Sequence, residues 1–99
     1  MRHMYILKCA DASYYVGSTR DLETRFFMHN DGRGAEYTRH RLPVELAFAH
    51  ETDTIEEAFA LEKQVQGWSR AKREALIRGD WSILPALSKK NFHRDDPGK

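Results

Sequence analysis

A single cysteine, Cys9, among 99 residues excludes an internal disulfide and a cysteine-built zinc site. Its place in an apolar stretch marks it as a core residue. Long apolar runs are absent too. Stretches such as Val44 to Ala49 fall far short of the roughly 20 residues that a membrane helix needs. The chain also opens without the basic start, apolar centre and small-residue cleavage site of a signal peptide, so a cytoplasmic protein with no membrane contact is the expectation. Nor is there an excess of charge of one sign: 16 Lys and Arg face 15 Asp and Glu, for a net charge of +1. That excludes the strongly basic coat with which a protein grips long stretches of nucleic acid backbone. Phosphate contacts would have to come from local clusters. Two are visible, one of Arg33, Arg39, His40 and Arg41, the other of Arg70, Lys72, Arg73 and Arg78. Each is either a solvated face or a phosphate-binding patch, with Arg33, Arg39 and Arg70 as the candidates for substrate contact.

With 40% apolar residues, the chain has enough for one domain with one modest core. His3 to Cys9 alternates as a strand with one well-buried and one partly buried face, Tyr5, Leu7 and Cys9 lying opposite Met4, Ile6 and Lys8. Ala10 to Ser13 reads as a turn, and Tyr14 to Ser18 as the second arm of an antiparallel hairpin. Ser18 to Asp21 offers caps for a helix from Leu22 to Asn30, which the glycines of Asp31-Gly32-Arg33-Gly34 stop. Ala35 to Leu42 holds a helical turn ended by Pro43, and Val44 to His50 a third strand. Thr54-Ile55-Glu56-Glu57 is a capping box opening a helix to about Gly67, and Ser69 caps another from Arg70 to about Arg78, stopped by Gly79. Trp81, Ile83, Leu84 and Leu87 form a last apolar anchor. The expected domain therefore runs over 1–87, followed by a polar, fraying tail over 88–99. The order β-β-α-(short α)-β-α-α predicts an α+β fold, a small antiparallel or mixed sheet covered by helices; periodicity does not supply its strand order.

Several residues depart from plain packing. On the helix from Thr54, the positions Ile55, Ala58, Phe59, Glu62, Val65 and Gln66 share one face, which puts Glu62 inside an apolar stripe. A carboxylate there needs a partner. Either Glu62 sits at the edge of the stripe beside a surface Lys or Arg, or it is held by donors or a cation such as Mg²⁺, which takes one or two carboxylates and keeps most of its waters. Arg25 and His29, one turn apart, share a helix face. They are either solvated or suited together to a phosphodiester, since guanidinium grips phosphate and imidazole moves protons near neutral pH. Tyr5, Tyr14 and Tyr15 serve packing or chemistry, the latter only if a neighbouring cation or metal-bound water helps the phenol lose its proton.

Taken in order, Met4-Tyr5-Ile6, Tyr15-Val16-Gly17-Ser18-Thr19, Asp21 to His29 and Ala60-Leu61-Glu62 closely resemble the GIY-YIG nuclease superfamily. Within it the chain is most similar to the small stand-alone bacterial proteins, through Gly32-Arg33-Gly34-Ala35, Lys63 to Arg70 and Glu74 to Ile77. The resemblance spans about residues 2–85. It implies a three-stranded antiparallel sheet flanked by helices and a metal-dependent endonuclease acting on DNA, with single-stranded or branched substrates favoured over a long specific duplex site. It implies catalytic roles for Tyr5, Tyr15, Arg25, His29 and Glu62, with Glu62 as the ligand of Mg²⁺ or Mn²⁺. Gly17 is implied to let the chain turn beside the site, and Ser18 and Thr19 to adjoin it as substrate contacts. Met4 replaces the first motif glycine. Ser18 stands where some repair nucleases carry a lysine, and Gln66 where close relatives carry one, which weakens backbone contact. Any sequence specificity would come from the domain itself, an oligomer or a protein partner. The alternative is a nucleic-acid binding module that kept the fold and lost efficient cleavage.

Overall fold

The computed structural model describes residues 2–80, which divide into two compact units, one up to Gly67 and one from Trp68. The expected apolar anchor of Trp81, Ile83, Leu84 and Leu87, the domain end at residue 87 and the tail over 88–99 lie outside the described residues.

The first unit is organised around strand β1, Arg2–Lys8, whose Met4, Tyr5, Ile6 and Leu7 are all buried. An alternating strand buries every residue only when both of its faces are covered. β1 is indeed the middle strand of an antiparallel sheet of order β2-β1-β3, with β2 spanning Tyr14–Thr19 and β3 spanning Glu45–Thr52. The face holding Met4 and Ile6, expected to be only partly buried, is therefore as dry as the other. On the face of Tyr5 and Leu7 the core continues through Cys9 and Val44, with Tyr15, Leu22, Phe26 and Leu42 packed against it. Burial holds the Cys9 thiol above its ordinary pKa, as expected for a core residue. Helix α3, Ile55–Gln66, packs on β1 and β2 and buries Ala58, Leu61 and Val65.

Local signals in the sequence set most boundaries. The β1–β2 connection lacks glycine, so Ala12 takes a positive φ of 72°, an uncommon conformation for a residue with a side chain. Asp11 stabilises the turn by accepting from the Ser13 amide at 3.0 Å and from its hydroxyl at 2.6 Å. Helix α1, Leu22–Asn30, starts on Asp21, whose carboxylate accepts from the Thr24 amide and hydroxyl. It stops at Gly32, with φ of 81°, where the Gly32 and Arg33 amides donate to the His29 and Met28 carbonyls. The short helix α2, Glu36–Arg39, follows. Thr54 caps α3 as predicted, but Glu57 reaches back to the amide of Asp53 rather than to that of Thr54.

In the second unit, helix α4, Arg70–Ile77, is capped by Ser69 and stopped at Gly79, with φ of 99°. Among the described residues, no helix is long and apolar enough to cross a membrane.

The end of α1 is tied to the start of β3 by one side chain. Asn30 donates to the Val44 carbonyl at 3.1 Å and accepts from the Val44 amide at 2.8 Å, standing in for a paired strand. Val44 is buried, so losing both bonds leaves two polar groups poorly hydrated. Asn30→Ala is expected to cost about 1–3 kcal/mol in a urea titration, and an unchanged midpoint would show that water replaces the carboxamide at no cost.

Candidate active site

The sheet register places Gly17 directly opposite Tyr5 and Tyr15 opposite Leu7. By strand alternation these side chains share the face covered by α1. A Cβ on Gly17 would lie 2.6 Å from both the ring Cζ and the hydroxyl of Tyr5 and 3.1 Å from the Tyr15 ring. Gly17 lies within β2 and its φ is not positive. The expected turn-making role is therefore corrected. The glycine supplies clearance, and the Tyr5 phenol occupies the volume that any side chain at 17 would fill.

Helix α1 brings Arg25 and His29 to the same phenol. His29 is fully buried rather than solvated, because its ring fits between the two tyrosines and the chain at Gly34. The ring centroids lie 5.8 Å from Tyr5 and 5.2 Å from Tyr15, and the two tyrosines are 6.4 Å apart. The His29 Nε2 lies 2.8 Å from the Tyr5 hydroxyl, and its Nδ1 2.9 Å from the Thr38 hydroxyl. Arg25 donates to the Gly34 carbonyl at 2.9 Å, which fixes the guanidinium over the site.

These surroundings keep both titrating groups neutral. Burial, reinforced by the fields of Tyr15 and Glu62 and opposed by Arg25, pushes the Tyr5 phenol up to about 12. Burial and the Arg25 charge pull His29 down to about 4. Burial also raises Tyr15. Near neutral pH the centre is therefore a phenol hydrogen-bonded to an uncharged imidazole, beside a permanent guanidinium.

Across β2 the chemistry changes. Ser18 pairs with Met4, so alternation turns its side chain towards the α3 face, where its hydroxyl donates to Glu62 Oε1 at 2.5 Å. Gln66 donates to Glu62 Oε2 at 2.7 Å and to the Val16 carbonyl at 3.3 Å. The buried positions of α3 are Ala58, Leu61 and Val65, while Phe59 is 51% exposed with the Lys63 ammonium over its ring. Glu62 thus sits at the border of the apolar stripe, not inside it, and two uncharged donors hold it in place of a surface cation. β2 is an edge strand among the described residues, and the Glu62 charge is felt by both tyrosines.

No group of three or more His, Cys, Asp or Glu side chains able to hold a metal occurs among the described residues. One partly exposed carboxylate beside a hydroxyl oxygen still fits a hard cation that draws its other ligands from water and a substrate phosphate.

The other predicted contacts are engaged with local partners. Thr19 is engaged with the backbone of Asp21 in the turn that starts α1. Arg33 and Arg39 form exposed ion pairs with Asp31 and Glu36, and Arg70, in the second unit, pairs with Glu74. An open hollow of about 600 Å³ whose lining includes His3, Leu22, Phe26 and Leu46 contains none of the five predicted catalytic residues.

Three residues with no role read from the sequence do touch the centre. Thr38 bonds His29, Gly34 accepts from Arg25 and packs against His29, and Tyr37 stacks on Tyr15 at 6.1 Å with the Arg41 guanidinium 3.8 Å from its ring centroid. Gly34 lies in the quoted Gly32-Arg33-Gly34-Ala35 match, which was the available signal.

Comparison with known proteins agrees with this geometry. The model of the GIY-YIG catalytic domain matches residues 1–75. A UPF0213 protein of Halobacterium salinarum is 43% identical over 77 residues, covering 78% of this chain and all of the relative. The UPF0213 protein YazA of Bacillus subtilis is 47% identical over 73 residues, 74% of each chain. The solution NMR structure of the UPF0213 protein BH0048 from Bacillus halodurans superimposes with a TM-score of 0.51 at 40% identity, over 79% of this chain and 84% of that one. GIY-YIG nucleases generally use divalent metals, in keeping with the setting of Glu62. A three-stranded antiparallel sheet with helices, a tyrosine pair meeting across Gly17 and a match over three quarters of the sequence lead to one conclusion: the chain belongs to the GIY-YIG nuclease family.

Proposed function

We propose that this protein is an endonuclease that hydrolyses phosphodiester bonds in DNA with Mg²⁺ or Mn²⁺ held at Glu62. The observation that carries the reading is the 2.8 Å contact between the Tyr5 hydroxyl and His29 Nε2, made beside Arg25. With a pKa pushed up to about 12, Tyr5 is not a standing phenolate. It acts as a relay, its oxygen taking a proton from the attacking water as its own proton passes to His29 Nε2. The water oxygen bonds to phosphorus, the bond from phosphorus to the 3′ oxygen breaks, and that oxygen takes a proton from solvent. Arg25 neutralises charge that builds on the phosphate. The phosphate in turn offsets the repulsion between Arg25 and the imidazolium. Tyr15, close to both rings, orients the phosphate. Glu62, with Ser18 as a further oxygen donor, would hold the cation, which would supply Lewis-acid stabilisation of phosphate and leaving-group charge. Single-stranded or branched DNA is favoured because the net charge is +1 and the exposed Arg33, Arg39 and Arg70 already have acidic partners.

A second reading is a binding module without efficient cleavage. It is favoured by the two donors on Glu62, since a cation would have to compete with both Ser18 and Gln66.

Cleavage of labelled single-stranded, duplex and branched DNA with Mg²⁺ or Mn²⁺ separates the two. Metal-dependent cutting that disappears in Glu62→Ala is expected, and Arg25→Ala is expected to lower kcat by about 10²–10³-fold. Binding without cutting by the wild type, or equal cutting by Glu62→Ala, would sink the endonuclease.

The neutral imidazole has its own signature in stability. The unfolded chain protonates His29 near 6.5 and the folded chain only near 4, so between these values the unfolded state binds more protons. Stability is expected to fall as pH is lowered from about 6.5 to about 4. The contribution of this group should be missing in His29→Gln, as read by urea midpoints across that range. A wild type and variant with parallel pH dependence would show that His29 charges freely in the folded protein.

A further inference from the structure

Thr38 and His29 are both fully buried, so neither side chain can replace a lost partner with bulk water. They belong to a row of polar groups, one end of which has fixed character. At one end is the Ala35 carbonyl, which only accepts. It takes the Thr38 hydroxyl proton at 3.2 Å, and also the Arg39 amide at 3.0 Å. At the other end is the Tyr5 phenol, near enough to the Arg25 guanidinium, which only donates, for that charge to oppose the rise of its pKa.

The bond from Thr38 to Ala35 selects one direction for the protons. If the Thr38 hydroxyl gives its proton to Ala35, its oxygen is left as an acceptor, and the His29 Nδ1 2.9 Å away must carry the hydrogen. A neutral imidazole protonated at Nδ1 has a bare Nε2, which accepts the Tyr5 proton at 2.8 Å. The Tyr5 oxygen then keeps its lone pairs to accept. The reverse tautomer would direct the Nε2 hydrogen at the Tyr5 oxygen and would take the Thr38 proton away from Ala35.

We propose that Thr38 is a positioning residue that locks His29 in the Nδ1–H tautomer, leaving Nε2 bare as the acceptor for the Tyr5 proton. The tautomer assignment rests on the bond from Thr38 to Ala35; its catalytic consequence rests on the endonuclease reading above. A hydroxyl is what the position needs. Valine has nearly the shape of threonine but cannot accept, whereas serine keeps the oxygen and loses only a methyl group.

The test is the tautomer of His29, read by long-range proton–nitrogen NMR correlation on the full chain labelled with nitrogen-15 at histidine, near neutral pH. The wild type is expected to show a protonated Nδ1 and a bare Nε2. Thr38→Val should move the ring towards the Nε2–H form or a mixture, and Thr38→Ser should restore the wild-type pattern. A wild-type spectrum with hydrogen on Nε2 would overturn the proposal without any variant, so a poorly folded valine protein does not shield it. A folded Thr38→Val that keeps the wild-type pattern would also overturn it. In the cleavage assay, kcat is expected to fall by about tenfold or more in Thr38→Val with KM unchanged, and to recover in Thr38→Ser. A wild type with the Nδ1–H pattern that cuts no DNA would count against the endonuclease while supporting the tautomer assignment.

Discussion

The hydrogen bond between the Tyr5 phenol and His29 Nε2 is the constraint around which the first unit is arranged. Forming it in a dry interior requires a central strand buried on both faces, to carry Tyr5, and a helix laid across that strand, to carry His29. It also requires two gaps in side-chain packing. Gly17 leaves room for the phenol, and Gly34 leaves room for the imidazole. A polar pair at this depth is stable only when each member is satisfied, and Thr38 takes up the second nitrogen of His29. The arrangement gives a neutral pair in the resting protein, with a permanent positive charge already in place beside it.

The segment from Gly34 to Arg41 acts as a scaffold for this pair. It is too short for an apolar core of its own, yet it meets Arg25 through a carbonyl, His29 through a hydroxyl and Tyr15 through the ring of Tyr37. Arg41 secures that ring, lying over Tyr37 while bonding the Tyr37 carbonyl and the carboxylate of Asp11. The basic cluster seen here in the sequence is thus partly architectural. Arg41 braces an aromatic stack, and Arg39 is paired with Glu36.

Boundaries were legible wherever a local rule decides them. Asp21, Thr54 and Ser69 cap helices, and Gly32 and Gly79 end them, because these choices depend on a few consecutive residues. Order and resemblance single out five candidate side chains, of which the fold brings Tyr5, Tyr15, Arg25 and His29 together. What stayed hidden depends on the third dimension. The apolar stripe of α3 was set one position out, so Glu62 was expected inside it, because Phe59 satisfies the pattern while lying under Lys63 at the surface. Gly17 looked like a turn former, since only the sheet register shows which ring lies across from it. Thr38 stands in a helix of four residues, too short to show a periodicity.

The edge position of β2 limits how this protein can assemble. Among the described residues no strand pairs with the outer side of β2 or of β3, and either border could add a strand from another chain. The border at β2 separates Ser18 and Glu62 from the tyrosine pair, so a strand docked there would stand between the two halves of the centre. Growth of the sheet by strand addition is compatible with an accessible centre only at β3.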